Sequence, residues 1–168
     1  MPPFVPHTMD TAPSASVPAM EQAAAKFGGI PRAVALLAES PTLLAGFLAG
    51  SAAVDRSTLP APAREVVILT VAARNGCDTC LAIHGATLRS LGEGVHLEAL
   101  RARAPLTDPA LEEVRRFTES LLETSGAVAE DEVEQLLEAG FTREHALDIV
   151  FTVGIYTMST LANRLVGA

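Results

Sequence analysis

Glu65-Val66-Val67-Ile68-Leu69-Thr70-Val71-Ala72-Ala73-Arg74-Asn75-Gly76-Cys77-Asp78-Thr79-Cys80-Leu81-Ala82-Ile83-His84 is the run whose reading decides the fold. Taken alone, residues 66–71 pass for a buried strand, since they are apolar and β-branched. The frame around them is helical: Ser57-Thr58-Leu59-Pro60 supplies a start, and Asn75-Gly76 supplies a stop. A second helix follows at once. At 100° per residue, Cys77, Cys80 and His84 fall within an arc of about 60°, so all three face one way. The break at Asn75-Gly76 turns the two helices into a hairpin, in which residues whose numbers sum to about 151 lie level. Glu65 then stands opposite residue 86, within roughly 3 Å of His84 along the axis. Every other position from Val66 to Ala73 is apolar or Thr. Glu65 is therefore the carboxylate available to that face, and a chain of Glu65, His84 and Cys80 is expected, with His84 central.

Outward from the hairpin the punctuation stays helical. Phe27-Gly28-Gly29 is a break, Pro31 opens a short helix with Val34, Leu37 and Ala38, and Ser40-Pro41 starts another with Leu44, Phe47 and Leu48 on one side. The motif helix closes at Leu91-Gly92. Further helices are expected near residues 93–103, 108–124 and 129–139, and Thr142 caps a long last one through Leu165. No strand and no internal repeat stands out. Residues 1–18 hold five of the eleven prolines and no sustained period. They read as a flexible N-terminal arm, disordered or draped over a neighbouring subunit, before one helical domain over 19–168. The fold class is all-α, a single-domain helical bundle.

Composition narrows the function. At 168 residues the chain is one domain long enough to bury a full core. It has no Trp and one Tyr, so Ala, Leu and Val supply its apolar bulk, which suits closely packed helices. A net charge of −8 argues against nucleic acid and anionic membrane surfaces, which require a basic face. Two cysteines three residues apart cannot staple a secreted disulfide scaffold. The N-terminus lacks the basic and apolar regions of a signal peptide. Residues 149–161 are apolar but short for a bilayer span, and they hold three Thr and one Ser. A cytoplasmic setting is expected.

The motif chemistry is that of thiols. Only a thiolate is a good nucleophile, and a free Cys with pKa about 8.5 is mostly protonated at neutral pH. Cys77 lies at the helix start and Cys80 at the end of its first turn, where exposed N–H groups favour negative charge. His84 can accept the proton, and Glu65 can orient or recharge the imidazole. A peroxide attacked by the thiolate leaves a sulfenic acid, which the second cysteine condenses into a disulfide. Cys80, nearest His84, is the natural attacker and Cys77 the resolving thiol. This scheme calls for no cofactor and no metal.

Glu65, eleven intervening residues, then Cys77-x-x-Cys80-x-x-x-His84 resembles the signature of the alkylhydroperoxidase D-like members of the carboxymuconolactone decarboxylase family. The resemblance extends through Ser40-Pro41, Leu91-Gly92 and Glu138-Ala139-Gly140-Phe141, from about Phe27 to Val166. It implies an all-helical fold, homo-oligomers that are commonly trimers or hexamers, and reduction of hydrogen peroxide or organic hydroperoxides. It further implies Cys80 as the sulfenic-acid cysteine, Cys77 as its partner, and Glu65 and His84 as the proton relay. The implied reductants are lipoylated subunits or a peroxiredoxin partner. Alkylhydroperoxidase D proper resembles this motif with a histidine between the cysteines, where this chain has Asp78-Thr79. An acid beside Cys77 raises rather than lowers that thiol's pKa. The decarboxylase branch does not rely on such a cysteine pair, so its lactone chemistry is not implied.

Two other readings stand beside the peroxidase: a non-catalytic structural or binding member, and a zinc-binding helical domain using Cys77, Cys80, His84 and Glu65. Structural zinc sites usually bring ligand pairs from separate segments, which weighs against the last. No βαβ pattern supports a thioredoxin-like fold, and Leu81 stands where haem attachment needs His. Glu65 by itself reads as a first-turn acid stabilised by the helix dipole. His7, His96 and His145 read as surface or capping histidines, and Arg115-Arg116 as a solvated face. Tyr156 and Asn163 read as core or interface hydrogen-bonding groups.

Overall fold

The computed structural model describes residues 3–168, and every regular element among them is helical. In chain order these are α1 (Val17–Phe27), α2 (Arg32–Leu37), α3 (Pro41–Asp55), α4 (Ala61–Asn75), α5 (Asp78–Ser90), α6 (Leu97–Arg101), α7 (Pro109–Thr124), α8 (Glu130–Glu138) and α9 (Arg143–Val166). Single 3₁₀ turns at Ser14–Ser16 and Gly94–His96 precede α1 and α6. The chain is a single-domain all-α bundle, as its punctuation implied.

The run that passes for a strand is the central helix. Val66, Val67, Ile68, Leu69, Val71 and Ala72 are each 0–1% exposed. They are enclosed by α5, α6, α7 and α9. A helix apolar on every side is a helix buried on every side, so β-branching here marks depth in the core. Thr70, the polar residue in the run, returns its hydroxyl to Val66 O at 2.7 Å. Pro62 sits in the first turn of α4, where its missing N–H has no intrahelical partner to lose. Leu88, Leu97, Leu100, Val114 and Ile149 close around α4, each worth about 1.5–3 kcal/mol of burial.

The proline-rich segment expected as a flexible arm makes defined contacts with its own chain. His7 N–H donates to Ala35 O at 3.0 Å, and the His7 ring meets Glu39 at 2.9 Å. Ser16 Oγ donates to Ala38 O at 2.6 Å. Met9 and Ala12 pack on the cluster of Met20, Leu37 and Leu44. Residues 1 and 2 lie outside the described residues.

Arg115 is not on a solvated face. Its guanidinium is only 12% exposed, pairing with Glu112 at 2.7 Å and Glu119 at 3.8 Å. Arg103 and Arg74 converge on the same Glu119, so one carboxylate ties α4, α7 and the turn after α6 together. Burial pushes the Glu112 carboxyl up, but the Arg115 fork and the Leu106 N–H outweigh it and hold the group below the usual range.

α9 is longer than the apolar stretch alone indicated. At 24 residues and a mean hydropathy of 1.3 it is long and apolar enough to cross a membrane by length and composition. Its inner face is committed to this chain, with Ile149, Thr152, Tyr156, Ser159, Thr160 and Asn163 buried against α3 and α4. Gly50 on α3 permits the close approach, since a Cβ there would strike the Ile155 side chain. The outer face exposes Leu147, Phe151, Leu161 and Leu165.

α9 also braces the hairpin turn. Asn75 Nδ2 donates to Thr160 Oγ1 at 2.8 Å, and Arg164 Nη1 donates to the carbonyls of Asn75 and Gly76. Gly76 holds φ +64°, and a Cβ on it would run into the Arg164 guanidinium. Gly76→Ala therefore combines a left-handed backbone with displacement of a brace, and should lower stability by about 2 kcal/mol. Urea unfolding checks this; an unchanged midpoint would show that neither constraint matters.

Candidate active site

Cys77 is the N-cap of α5 rather than its first helical residue. Its backbone is extended, at φ −94° and ψ 92°, and its Sγ accepts the Cys80 N–H at 3.4 Å. Leaving the helical conformation at that one residue lets two cysteines three apart meet. They form a Cys77–Cys80 disulfide with Cα atoms 5.4 Å apart, inside the range a disulfide spans. The bridge packs on Ala72 and Leu81, with Cys77 2% and Cys80 4% exposed.

One turn further, His84 Nδ1 meets Glu65 Oε2 at 2.9 Å, across the hairpin as the register required. The Glu65 side chain is 5% exposed and that of His84 18%. An ionised carboxylate only accepts, so the pairing places the proton on Nδ1 and leaves Nε2 as the basic nitrogen. Among the described residues no hydrogen bond joins His84 to either sulfur. The expected chain is thus assembled from Glu65 to His84, and Cys80 stands one helical turn away.

Two residues of α9 complete the surroundings. Asn163 Nδ2 donates to Cys80 Sγ at 3.4 Å, and Asn163 Oδ1 is buried without a partner. The Tyr156 ring stands edge-on to His84, centroids 5.0 Å apart, and edge-on to Phe47 at 5.9 Å. Its hydroxyl lies 3.3 Å from Ser51 Oγ. Burial, foremost, pushes the Tyr156 hydroxyl up to about 12, with the charges of Glu65 and Asp55 adding to it. The phenol is therefore a neutral wall on the imidazole at ordinary pH. Thr79, between the cysteines, donates to Ala168 O at 2.9 Å. From sequence, Tyr156 and Asn163 read only as hydrogen-bonding core groups. Their seven-residue spacing, two turns on one face of a helix, is the feature that joins them.

The remaining histidines lie elsewhere. His145 caps α9, accepting the Thr142 N–H at 3.2 Å. His7 pairs with Glu39. His96 is buried beside Glu93 and not at the surface. The zinc alternative finds no support in this arrangement. Sulfurs joined to each other offer a metal no thiolate, and among the described residues no group of three or more His, Cys, Asp or Glu is placed to hold an ion.

A helical hairpin thus presents Glu65 and His84 beside a Cys-x-x-Cys disulfide. Residues 38–120 match the model of the carboxymuconolactone decarboxylase family. Over that span, just under half of its length, the chain is similar to that family. A structure described as the alkylhydroperoxidase AhpD core of an uncharacterised peroxidase-related protein from Ralstonia eutropha JMP134 superimposes with TM-score 0.85 at 24% identity, over 98% of this chain and 89% of that one. An uncharacterised peroxidase-related protein from Silicibacter sp. TM1040 is similar with TM-score 0.79 at 25% identity, over 99% of this chain and 90% of that one. No curated protein matches the chain.

Tyr156 is the chain's single tyrosine, which makes its ionisation testable. An unfolded tyrosine loses its proton near pH 10, whereas Tyr156 in the fold holds it to about 12. Between those values the unfolded chain has shed a proton the folded one keeps, so stability falls as pH rises. The loss should reach about 2–3 kcal/mol by pH 12. Urea midpoints of the wild type should drop from pH 9 to pH 11.5, and Tyr156→Phe should remove that share of the drop. Identical slopes in the two proteins would place the phenol in water.

Proposed function

We propose that the protein is a thiol-dependent peroxidase that reduces hydrogen peroxide or an organic hydroperoxide. The observation that carries the reading is the disulfide one helical turn from a buried Glu65–His84 pair. In the reduced protein His84 Nε2 takes the Cys80 proton, and the thiolate gives its electron pair to one peroxide oxygen. The O–O bond breaks, the Cys80 S–O bond forms, and the alkoxide or hydroxide leaves with a proton returned from His84. Cys77 then attacks the sulfenic acid, forming the S–S bond and releasing water. An external dithiol restores both thiols, giving up two electrons and two protons. A lipoylated protein or a peroxiredoxin-linked system has the required chemistry.

The Glu65–His84 contact supports a relay in which the carboxylate steadies the imidazolium formed at each transfer. Glu65→Gln keeps shape and deletes charge, and His84→Gln deletes the base. Both variants should fold and keep two thiols that alkylate fully once unfolded, yet consume peroxide at least tenfold more slowly, with the apparent Cys80 pKa raised; a positioned base is worth about 10²–10⁴ in rate. Cys80→Ser should abolish consumption, and Cys77→Ser should stop after one equivalent with a sulfenic acid. Two thiols still free after stoichiometric peroxide would sink the redox reading. One tightly held zinc per chain by elemental analysis would replace it with the metal-binding one.

The assembly is also part of the proposal. Leu147 and Leu165 are 70% and 72% exposed, on the same outer face of α9 as Phe151 and Leu161. An apolar stripe of that length suits a closed homo-oligomer, a trimer or hexamer, and the net charge suits a cytoplasmic protein without nucleic-acid or membrane partners. Light scattering at micromolar concentration should give a multiple of 17.5 kDa. A stable monomer would overturn the assembly and leave the chemistry standing.

A further inference from the structure

We propose that Asn163 is a catalytic residue of the thiol chemistry, its side-chain amide donating to Cys80 Sγ and holding that sulfur as a thiolate. The inference rests on the peroxidase reading for its purpose, though not for its test. A disulfide sulfur carries no hydrogen, so the 3.4 Å contact can run only from the Asn163 N–H to sulfur, which settles the orientation of the amide. Asn163 is 6% exposed, and its Oδ1 has no partner at all. A buried amide kept for packing satisfies both ends. Here the donor is spent on sulfur, and the acceptor of the same buried amide has no partner among the described residues.

The contact is weak while the disulfide is closed, because a disulfide sulfur is a poor acceptor. When the S–S bond opens, the same N–H faces a full negative charge in surroundings nearly free of water, and the bond becomes charge-assisted. The two sulfurs have separate donors: Cys77 Sγ takes the Cys80 backbone N–H, and Cys80 Sγ takes Asn163. The charged and titratable groups around them are Glu65 on α4, Asp78 and His84 on α5, and Tyr156 and Arg164 on α9. None of these is hydrogen-bonded to the Cys80 sulfur, and the amide, which does not titrate, is. Asn163 thus does from α9 what Asp78 and Thr79 cannot do from between the cysteines.

Both half-reactions use the contact. In the oxidative half, Asn163 enlarges the fraction of Cys80 present as thiolate. In the reductive half, a dithiol's thiolate attacks Cys77 Sγ, the S–S bond breaks, and its electron pair leaves on Cys80, where the amide receives it. The dithiol's second sulfur then displaces Cys77, so the mixed disulfide forms on Cys77.

The test uses reduced protein and no peroxide. In the Cys77→Ser chain the pH dependence of iodoacetamide alkylation reads the Cys80 pKa directly. Adding Asn163→Leu, or Asn163→Asp, which keeps an acceptor but no donor, should raise that pKa by about one unit or more, a tenfold loss of thiolate at neutral pH. A folded variant of either kind that alkylates along the parent curve overturns the proposal. In the unmutated chain, a side-chain N–H resonance of Asn163 should move downfield as Cys80 ionises. A resonance that stays flat through that titration overturns it even if neither variant folds. Since neither readout involves peroxide, a chain inert to peroxide would sink the peroxidase reading and leave Asn163 on Cys80, whereas an active chain with an unshifted pKa would do the reverse.

Discussion

The turn at Asn75-Gly76 is the constraint on which the site depends. It is a left-handed residue between two helices, and it makes α4 and α5 antiparallel neighbours with a defined register. Glu65 and His84 are nineteen residues apart in the chain and 2.9 Å apart in space only because that register holds. The same turn delivers Cys77 in extended backbone at the mouth of α5, where its sulfur both caps the helix and reaches Cys80. α9 secures the turn by three side chains, Thr160 on Asn75, Arg164 on two carbonyls and Asn163 on Cys80. The long helix is the far wall of the site as well as the strut of the bundle.

Burial explains why the carboxylate is where it is. α4 is sheathed in apolar side chains, and a charge on it is expensive unless paired. Glu65 is the fifth residue of α4, past the first turn where its sequence reading as a helix-terminus acid would place it, so its compensation comes from His84 rather than from the helix end. His84 then meets it from α5, and Tyr156 closes off the imidazole with an aromatic edge. A carboxylate held this dry interacts strongly with an imidazolium and weakly with solvent ions, so the pair should keep its coupling at salt concentrations that screen the surface pairs of α7.

Much of this was legible in the sequence, and the reasons are particular. Gly76, Gly92, Gly140, the Pro41 start and the Thr142 cap are local signals, and each marks an observed helix boundary. Counting across the turn placed Glu65 by His84, because helical rise is constant. What stayed hidden was tertiary. Residues 66–71 have no amphipathic period since α4 has no wet face, so pattern alone left helix and strand open. Arg115 looked solvated because its partners Glu112 and Glu119 are ordinary i−3 and i+4 acids until Arg103 and Arg74 are seen to converge on Glu119. The contacts of residues 3–18 with α2 and the turn after it involve backbone carbonyls, which carry no residue code.

Asn163 was hidden for the deepest reason. An amide in an apolar helix has many uses, and only the approach of α9 to the α4–α5 turn decides which one it serves. Eighty-three residues separate it from Cys80. The motif reports the two sulfurs, His84 and Glu65, all within one hairpin, but the group touching the second sulfur comes from outside it. A helical hairpin can position a proton relay by register alone. Within the hairpin a backbone N–H reaches the Cys77 sulfur, whereas the donor on the Cys80 sulfur comes from α9, which crosses the hairpin's turn.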